Sequence, residues 1–286
     1  MTEEPLRGIL YGHGHMGRYH AAKLAMRPDI ELMVIDPNAG MSAVPFPNPD
    51  FAIVATPTTT HAKVAQPLLA NGVPCLVEKP LARTLEEAQE LAQYQHLSVG
   101  HIERFNPVFE AVNEVHSEYI EIERLSPFSD RSTDVDVLDD LMIHDLDLLA
   151  RFMPGKLLDV RAKGVGVMSN KPDIVHARLE IELPGERTGV VNLTASRVSP
   201  KSVRTWRLVE AGRYWSLDLL NQKAKVVDWA NKTMNSQNID VPTKDALTAE
   251  HTAFLQSVRY RTPFPCTGTE ALKALQLAER IRACLH

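Results

Sequence analysis

Three glycines near the amino terminus constrain the fold of this chain more than any other feature. Gly12, Gly14 and Gly17 form a G-x-G-x-x-G pattern between the apolar run Gly8–Tyr11 and a helical pattern over His15–Met26. The first glycine permits a tight turn, the second lets a pyrophosphate approach the backbone, and the third lets helix and strand pack closely. The N–H groups at the helix start would face the phosphates. The pattern therefore predicts a dinucleotide-binding unit, with a purely structural turn as the alternative.

An acidic residue stands at the end of the second apolar run, about 20 residues after the glycines. Asp36 can accept hydrogen bonds from both ribose hydroxyls of an adenosine, and its charge would repel a 2′-phosphate. Pro37 and Asn38 follow it, and no arginine is adjacent. The sequence thus favours NAD(H) over NADP(H). The alternative is that Asp36 only forms the turn before Pro37.

Short apolar runs alternate with helical patterns through the first hundred residues. The runs are Gly8–Tyr11, Glu31–Ile35, Phe51–Ala55, Pro74–Val77 and Leu97–Gly100, and the helical patterns are His15–Met26, His61–Asn71 and Leu85–Gln95. This order predicts an α/β fold with a doubly wound, parallel Rossmann sheet. The segment from Pro37 to Asp50 carries four prolines, and we expect an extended, helix-free connection there.

The second half of the chain has a different sequence pattern, with longer segments in which apolar and polar residues alternate. His176–Leu183 alternates apolar and charged residues, and Pro184-Gly185-Glu186 turns it into Thr188–Ala195. Such hairpins are typical of an antiparallel sheet with one covered face. Two helical patterns close the chain, Leu247–Arg259 and Glu270–Cys284. We predict an NAD-binding Rossmann domain over 1–117 and, over 118–286, an α+β domain with a mostly antiparallel, open-faced sheet.

Composition narrows the possible partners and locations. The chain has 31 basic and 36 acidic residues and a net charge of −5, which argues against nucleic acid as a partner. Neither a secretory signal nor an apolar stretch long enough for a membrane span is present in the sequence, so no membrane partner is expected. Cys75, Cys266 and Cys284 are too far apart for a disulfide framework or a CxxC metal site. A cytoplasmic protein without a metal is the simplest expectation.

Taken together, the motifs resemble the Gfo/Idh/MocA family of sugar and inositol dehydrogenases. The resemblance rests on the glycine pattern, on Thr56-Pro57 with His61, on Glu78-Lys79-Pro80 and on the Asp-x-x-x-His pair Asp140 and His144. It implies an NAD cofactor. The residues it assigns to that cofactor are Gly12, His13, Gly14, His15, Met16, Gly17, Asp36, Thr56, Pro57, His61, Glu78 and Lys79.

Oxidation of a secondary alcohol needs a base for the hydroxyl proton and an acceptor for the hydride. His144 is the expected base, with Asp140 four residues away to orient its ring on a helix. Lys79 lies at the carboxyl end of a strand and can hold the substrate oxygen. The sequence leaves open whether Lys79 or His144 takes the proton first. These three are the predicted catalytic residues. The alternative for Lys79 is a surface lysine without a catalytic role, and the alternative for Asp140 and His144 is a solvated helix face. A solvated helix face also explains Asp145 and Asp147 better than a metal site does.

Substrate contacts are expected from the catalytic residues and from two more positions after the fifth apolar run. The predicted substrate-binding residues are Lys79, Arg104, Asn106, Asp140 and His144. The planar guanidinium of Arg104 suits sugar or phosphate oxygens. Helix capping before Pro107 is a nearly equal interpretation of Asn106.

The segments 99–107 and 138–147 resemble more narrowly those family members that oxidise UDP-N-acetylglucosamine at C3. The resemblance implies a 3-keto nucleotide sugar, made for a later transamination in lipid A or surface-polysaccharide synthesis. It also implies a homo-oligomer, dimer or tetramer, formed through the carboxy-terminal sheet. Two alternatives remain open: a dehydrogenase of another sugar, an inositol or a UDP-uronic acid, and a non-catalytic NAD(H) sensor.

Overall fold

The computed structural model describes residues 4–41, 46–112, 117–129, 135–230 and 233–285, with backbone only at Ala150, Arg151 and Ala230. The chain divides into two compact units. Unit 1 comprises the residues up to Phe105 together with Asp245–Lys273, and unit 2 comprises Asn106–Lys244 together with the residues from Ala274 onwards. Within the described residues, no helix is long and apolar enough to cross a membrane.

Unit 1 contains a five-stranded parallel sheet in the order β2-β1-β3-β4-β5, which confirms the predicted Rossmann topology. The strands are β1 (Leu6–Tyr11), β2 (Ile30–Ile35), β3 (Phe51–Val54), β4 (Cys75–Glu78) and β5 (Leu97–Gly100). Every residue of β3, β4 and β5 is buried. Their mostly apolar sequences are typical of strands covered on both faces.

Three helices lie between these strands: α1 (His15–Leu24), α2 (His61–Ala70) and α3 (Leu85–Leu91). A capping box between Thr84 and Glu87 starts α3. The connection from Pro37 to Asp50 was expected to be helix-free, and this was wrong at its start. A short 3-10 helix covers Pro37–Ala39, because Pro37 fits a first helical turn and the Asp36 carboxylate caps it. Residues 42–45 of this connection lie outside the described residues.

Helix α6 (Ala246–Tyr260) belongs to unit 1 although it follows the first and longer segment of unit 2 in the sequence. Its Phe254 is buried and meets Phe51 of β3 edge-to-face at 5.8 Å. The predicted boundary between contiguous domains 1–117 and 118–286 therefore differs from the observed division. The apolar face of α6 completes the core of unit 1, whereas Val108 and Phe109 join the core of unit 2.

Unit 2 contains an eight-stranded sheet in the order β13-β12-β11-β10-β6-β9-β8-β7. The strands are β6 (Tyr119–Leu125), β7 (Leu157–Val165), β8 (Ile174–Leu183), β9 (Arg187–Ser196), β10 (Val203–Glu210), β11 (Arg213–Asp218), β12 (Lys223–Ala230) and β13 (Thr233–Ile239). The β8–β9 hairpin is antiparallel, as predicted. Among the described strands of this eight-stranded sheet, only β6 and β9 pair in parallel, so the sheet is mostly antiparallel and the predicted fold class is confirmed.

The helices of unit 2 are α4 (Pro107–Ala111), α5 (Ile143–Phe152) and most of α7 (Gly268–Arg282). Alternate residues of β6, β8 and β9 are buried in one core with residues of these helices. The rings of Phe109, Phe152 and Trp206 pack together there, with centroids 5.1 to 5.8 Å apart. Aromatic clusters of this kind supply much of a core's buried area.

A buried ion pair attaches α5 to the sheet. The Arg124 guanidinium on β6 donates to both carboxylate oxygens of Asp145, at 2.7 and 2.9 Å, and Trp206 Nε1 donates to the same carboxylate at 3.0 Å. Asp145 and Asp147 are each 1% exposed. The expectation of a solvated helix face was therefore wrong at both positions. An amphipathic pattern alone does not show that a charged residue on the inner face has a partner.

Asp173 organises the turn between β7 and β8. Its carboxylate accepts the backbone N–H groups of Val167, Met168 and Ser169 at 2.6 to 2.9 Å, and Arg197 Nε donates to it at 2.8 Å. Burial opposes ionisation, but the bonds from Val167 and Met168, followed by the bond from Arg197, outweigh it and hold the pKa of Asp173 well below its usual range.

Asp173→Asn should lower the free energy of unfolding by about 3 kcal/mol, because it leaves Arg197 buried without its counter-charge. Denaturant unfolding measures this. Asp159→Asn is the matched control, since it removes an exposed Asp–Arg pair on β7 and should change stability by less than about 0.5 kcal/mol.

The difference between parent and Asp173→Asn should also depend on pH. A carboxyl whose pKa is lowered by folding stabilises the folded state above its ordinary pKa of about 3.9 and loses this contribution as the pH falls further. The difference should be full at neutral pH and shrink below about pH 4. Equal effects of the two substitutions at neutral pH would contradict this view of Asp173.

Candidate active site

Two glycines of the amino-terminal pattern, Gly12 and Gly14, lie in the tight turn between β1 and α1, and the third, Gly17, lies in the first turn of α1. Gly12 has φ +93°, and a Cβ there would lie 2.5 Å from the Ala55 carbonyl oxygen. A Cβ on Gly17 would lie 2.0 Å from the Gly12 carbonyl oxygen, whereas one on Gly14 would meet nothing within 4 Å. The first and third glycines are therefore required by close packing. The second leaves open space over the turn.

The start of α1 presents backbone donors to that open space. Gly14 is the N-cap residue and offers no side-chain cap, and no acidic residue occupies the first turn. The first N–H groups of a helix have no partner within the helix and attract anions. His13 and Met16 are half-buried beside the turn, and His15 is exposed, with its ring edge-on to Tyr19 at 5.0 Å. These features fit the pyrophosphate of a dinucleotide.

Asp36 connects the end of β2 to the glycine turn. Its carboxylate accepts the backbone N–H of His13 at 2.7 Å and those of Asn38 and Ala39 at 3.0 and 3.3 Å. These bonds, led by the one from His13, hold the pKa of Asp36 below its usual value. A carboxylate has about four acceptor positions, so these three bonds leave room for a ribose hydroxyl. The turn-forming role is observed, and it does not conflict with the predicted ribose contact.

His61 joins two loops at the carboxyl ends of neighbouring strands. Its ring is 1% exposed, with Nδ1 3.0 Å from the Pro80 carbonyl oxygen and Nε2 2.9 Å from that of Thr56. Burial lowers the pKa of His61, although both carbonyls favour its protonated form. The ring therefore holds the Thr56-Pro57 turn against the segment that follows β4. Its predicted contact with the cofactor stays a prediction.

Lys79 follows the last residue of β4, at the edge of the sheet where open parallel sheets bind their ligands. It is half-buried. The preceding Glu78 is 6% exposed; its Oε2 accepts the Lys79 backbone N–H at 3.3 Å, and its Oε1 contacts His20 Nε2 at 2.8 Å. The sequence pattern placed Glu78 and Lys79 correctly at the strand end. The same pattern did not indicate that the buried His20 contacts Glu78.

Arg104 and Asn106 make contacts within their own units. Arg104 donates to the Pro265 carbonyl oxygen and lies 3.3 Å from Glu270 Oε1. The Asn106 side chain accepts the Val108 N–H at 3.2 Å, capping α4, and donates to the Leu219 carbonyl oxygen at 3.0 Å. The capping interpretation of Asn106 is therefore observed. Substrate binding by these two residues stays a prediction.

Asp140 and His144 lie on consecutive helical segments in unit 2. Leu138–Met142, which includes Asp140, is a π-helix, and α5 begins one residue before His144. Single π-turns inside helices occur frequently at functional sites. Asp136 caps the start of this segment through the N–H groups of Leu138 and Asp139, and Arg282 binds Asp136 with Nε 3.1 Å from Oδ2.

Comparison with known proteins agrees with this geometry. Residues 20–96 match the family model GFO_IDH_MocA, described as an oxidoreductase family with an NAD-binding Rossmann fold. The chain is 34% identical to UDP-N-acetylglucosamine 3-dehydrogenase of Acidithiobacillus ferrooxidans, over 98% of this chain and 97% of that protein. It is 27% identical to scyllo-inositol 2-dehydrogenase (NAD(+)) of Bacillus subtilis, over 69% of each.

A solved structure of UDP-N-acetylglucosamine 3-dehydrogenase GnnA from Acidithiobacillus ferrooxidans superposes with a TM-score of 0.87. The match covers 99% of this chain and 98% of that chain at 34% identity. Similarity at this level over the full length extends well beyond the glycine pattern and includes both units. The chain belongs to the Gfo/Idh/MocA family of NAD-dependent oxidoreductases.

Proposed function

We propose that the protein oxidises the C3 hydroxyl of UDP-N-acetylglucosamine to the 3-keto sugar with NAD. The observation that carries this proposal is the 34% identity, over nearly the whole length of both chains, to a UDP-N-acetylglucosamine 3-dehydrogenase. The residues that the chemistry requires are present in this chain. Lys79 lies at the carboxyl end of β4, and Asp140 and His144 lie on the π-helix and α5.

Each catalytic side chain has a distinct task in this proposal. Bound NAD supplies a hydride acceptor at its nicotinamide ring. His144 accepts the proton of the substrate hydroxyl, since an imidazole titrates near neutral pH. Asp140 orients that ring and stabilises its protonated form. Lys79 holds the substrate oxygen and stabilises the negative charge that develops on it.

The proposed coenzyme preference is NAD over NADP. Asp36 is held ionised by the backbone bonds that lower its pKa, and a 2′-phosphate at this position would meet that charge.

We also propose a reducing cytoplasm as the location, because none of the three cysteines forms a disulfide. A 3-keto sugar is a substrate for transamination. The protein would thus precede an aminotransfer step in lipid A or surface-polysaccharide synthesis.

Two other functions remain distinguishable. The similarity to scyllo-inositol 2-dehydrogenase favours an inositol or a free sugar as the second candidate substrate, and a UDP-uronic acid is a further one. A non-catalytic NAD(H) sensor would bind the coenzyme without turning over any alcohol.

A substrate panel tests the proposed reaction. NADH formation is expected with UDP-N-acetylglucosamine, and less activity is expected when NADP replaces NAD. The comparison substrates are UDP-glucuronic acid, scyllo-inositol, myo-inositol and glucose, assayed at equal concentrations. Turnover of an inositol or glucose but not of UDP-N-acetylglucosamine would contradict the proposed substrate. Binding of NAD without turnover of any panel member would support the sensor instead.

Lys79→Met and His144→Asn should each lower kcat/KM by about 100-fold or more, because each removes a group that acts on the reacting oxygen. Steady-state kinetics on UDP-N-acetylglucosamine measure this. Lys63→Met and His176→Asn are matched controls at exposed positions and should stay near the parent value. Near-parental kcat/KM in both active-site variants would show that the catalytic assignment is wrong.

We further propose that a second copy of the chain covers the open face of the sheet in unit 2. Many outward-pointing side chains of β6, β8, β9 and β10 are only partly exposed, although some, such as His176 and Glu182, are exposed. They form ion pairs such as Arg178–Glu180 and Arg207–Glu121. Paired sheet faces bury such a surface between like subunits.

Light scattering should therefore report a dimer or a tetramer. Val190→Asp places a charge on this face and should shift the distribution toward monomer, since an unpaired charge buried in an interface is unfavourable. Met26→Asp, in the turn that follows α1 and at a position 81% exposed, is the control and should leave the mass unchanged. A monomer at all accessible concentrations would contradict the proposed assembly.

A further inference from the structure

Four ionisable side chains from three elements of unit 1 form a buried cluster beside Lys79. His20 lies on α1, Glu78 ends β4, and Glu250 and His251 are consecutive residues of α6. Their exposed fractions are 0%, 6%, 0% and 1%. Groups of this kind are rarely buried unless they are paired. We call these four residues the carboxylate–imidazole cluster.

His20 is the central member, since both of its ring nitrogens are engaged. Nε2 lies 2.8 Å from Glu78 Oε1, and Nδ1 lies 2.7 Å from His251 Nε2. With Glu78 ionised, two proton arrangements satisfy both contacts: His20 protonated and donating to both partners, or His20 neutral and accepting from His251. In either arrangement His20 donates to Glu78, so the carboxylate is held in one orientation.

The two carboxyl groups of the cluster differ in charge. Burial opposes ionisation of Glu78, but the bond and charge of His20, with Lys79 and His61, outweigh it and lower the pKa of Glu78. Burial, followed by the charge of Glu78, raises the pKa of Glu250 well above its usual range. Neither Glu250 oxygen has a hydrogen-bond partner among the described residues. Glu250 is therefore the neutral acid and Glu78 the anion.

His251 holds the far side of the His20 ring without adding charge. Burial, and next the charge of His20, lowers the pKa of His251 to about 3, so its ring is neutral at physiological pH. Gly100 on β5 leaves room for the Glu78 carboxylate, because a Cβ there would lie 3.1 Å from Oε1. The Glu78 carboxylate is thus enclosed by α1, β5 and α6. Its charge therefore interacts more strongly with neighbouring groups than it would in water.

We propose that Glu78, oriented by His20, is a positioning residue for Lys79: its carboxylate accepts the Lys79 backbone N–H and places a negative charge beside the segment that carries the ammonium. The proposal rests on the catalytic role proposed for Lys79. It gives Glu78 a different task from the cofactor contact predicted from the sequence, because both carboxylate oxygens engage the protein. The charged and titratable groups that face Glu78 are His20 from α1, His61 from α2, Glu250 from α6 and Lys79 itself.

Glu78→Gln preserves the side-chain volume and removes the charge. The ammonium of Lys79 should then lose its proton more readily, because a nearby opposite charge favours the charged form of an ionisable group. Competitive acetylation of the protein without coenzyme, followed by peptide mass spectrometry, measures this directly. The labelling rate of Lys79 should rise at neutral pH by about tenfold, while the rate of the exposed Lys63 stays unchanged.

Kinetics provide a second readout. In Glu78→Gln the alkaline limb of the pH profile of kcat should move to lower pH by about one unit or more. A mispositioned ammonium should also lower kcat at the optimum by about tenfold or more, since displacements of about 1 Å have effects of this order. The Kd for NAD, measured by fluorescence titration, should stay within about twofold, which separates loss of positioning from loss of coenzyme binding.

Glu250→Gln is the matched control, because it makes the same replacement in the same cluster at a carboxyl that is already neutral. It should leave both Lys79 labelling and the pH profile unchanged. If Glu78→Gln fails to fold, the double variant His20→Gln/Glu78→Gln replaces the ion pair with two amides that can bond to each other. It should show the same labelling change.

Parental Lys79 labelling and a parental pH profile in Glu78→Gln, or in the double variant, would overturn the positioning role. If Lys79→Met is inactive in the same assays, the proposed function stands while this inference fails. If Lys79→Met retains activity, the proposed function fails, and the labelling experiment still tests the charge relation between Glu78 and Lys79.

Discussion

The position of helix α1 in unit 1 is constrained by its close packing against the turn that precedes it. A Cβ on Gly17 would lie 2.0 Å from the Gly12 carbonyl oxygen, so the helix packs directly against the end of β1. This approach directs the uncapped start of α1 toward the open space above Gly14. It also sets the position of His20, one turn further along the helix, against the end of β4. The coenzyme loop and the surroundings of Lys79 thus depend on the same packing.

Buried charges determine the placement of other functional elements. Arg124 and Asp145 hold α5, which carries His144, against the sheet of unit 2. His20 and Glu78 perform a comparable role beside Lys79 in unit 1. In both cases a charged residue adjacent in sequence to a predicted catalytic residue is buried and paired. Breaking such a pair is strongly unfavourable, so each limits the orientations open to the segment that carries the reactive side chain.

Much of the fold could be predicted from local patterns. The glycine spacing, the short apolar runs and the Pro184-Gly185 turn each reflect constraints that act within a few residues. The parallel pairing of β6 with β9 and the return of α6 to unit 1 could not be predicted in this way. Both depend on contacts between segments far apart in sequence. The β6, β7, β12 and β13 strands were missed as well; Thr233–Ile239 is almost entirely exposed and has little apolar alternation.

The residues of the candidate site also divide into those that local sequence patterns predict and those that depend on contacts between distant segments. Lys79, Asp140 and His144 were found because their spacing matches a family motif, and Asp36 because a carboxylate there has a known chemical use. Single histidines in helices carry no such signal, and His20 and His251 become informative only when the fold places them 2.7 Å apart. The burial of His20 could have been predicted, because a residue three positions after Gly17 lies on the side of α1 that faces the sheet. Nothing in the sequence indicated that Glu250 is buried with no hydrogen-bond partner among the residues that the structure describes.

The most direct test of the proposed reaction follows the hydrogen atom at C3 of the sugar. UDP-N-acetylglucosamine carrying deuterium only at C3 would be incubated with the protein and NAD, and the reduced coenzyme analysed by mass spectrometry. Transfer of deuterium from C3 to the coenzyme is the predicted result. Unlabelled reduced coenzyme, formed from the same substrate, would show that another carbon is oxidised and would contradict the proposed function.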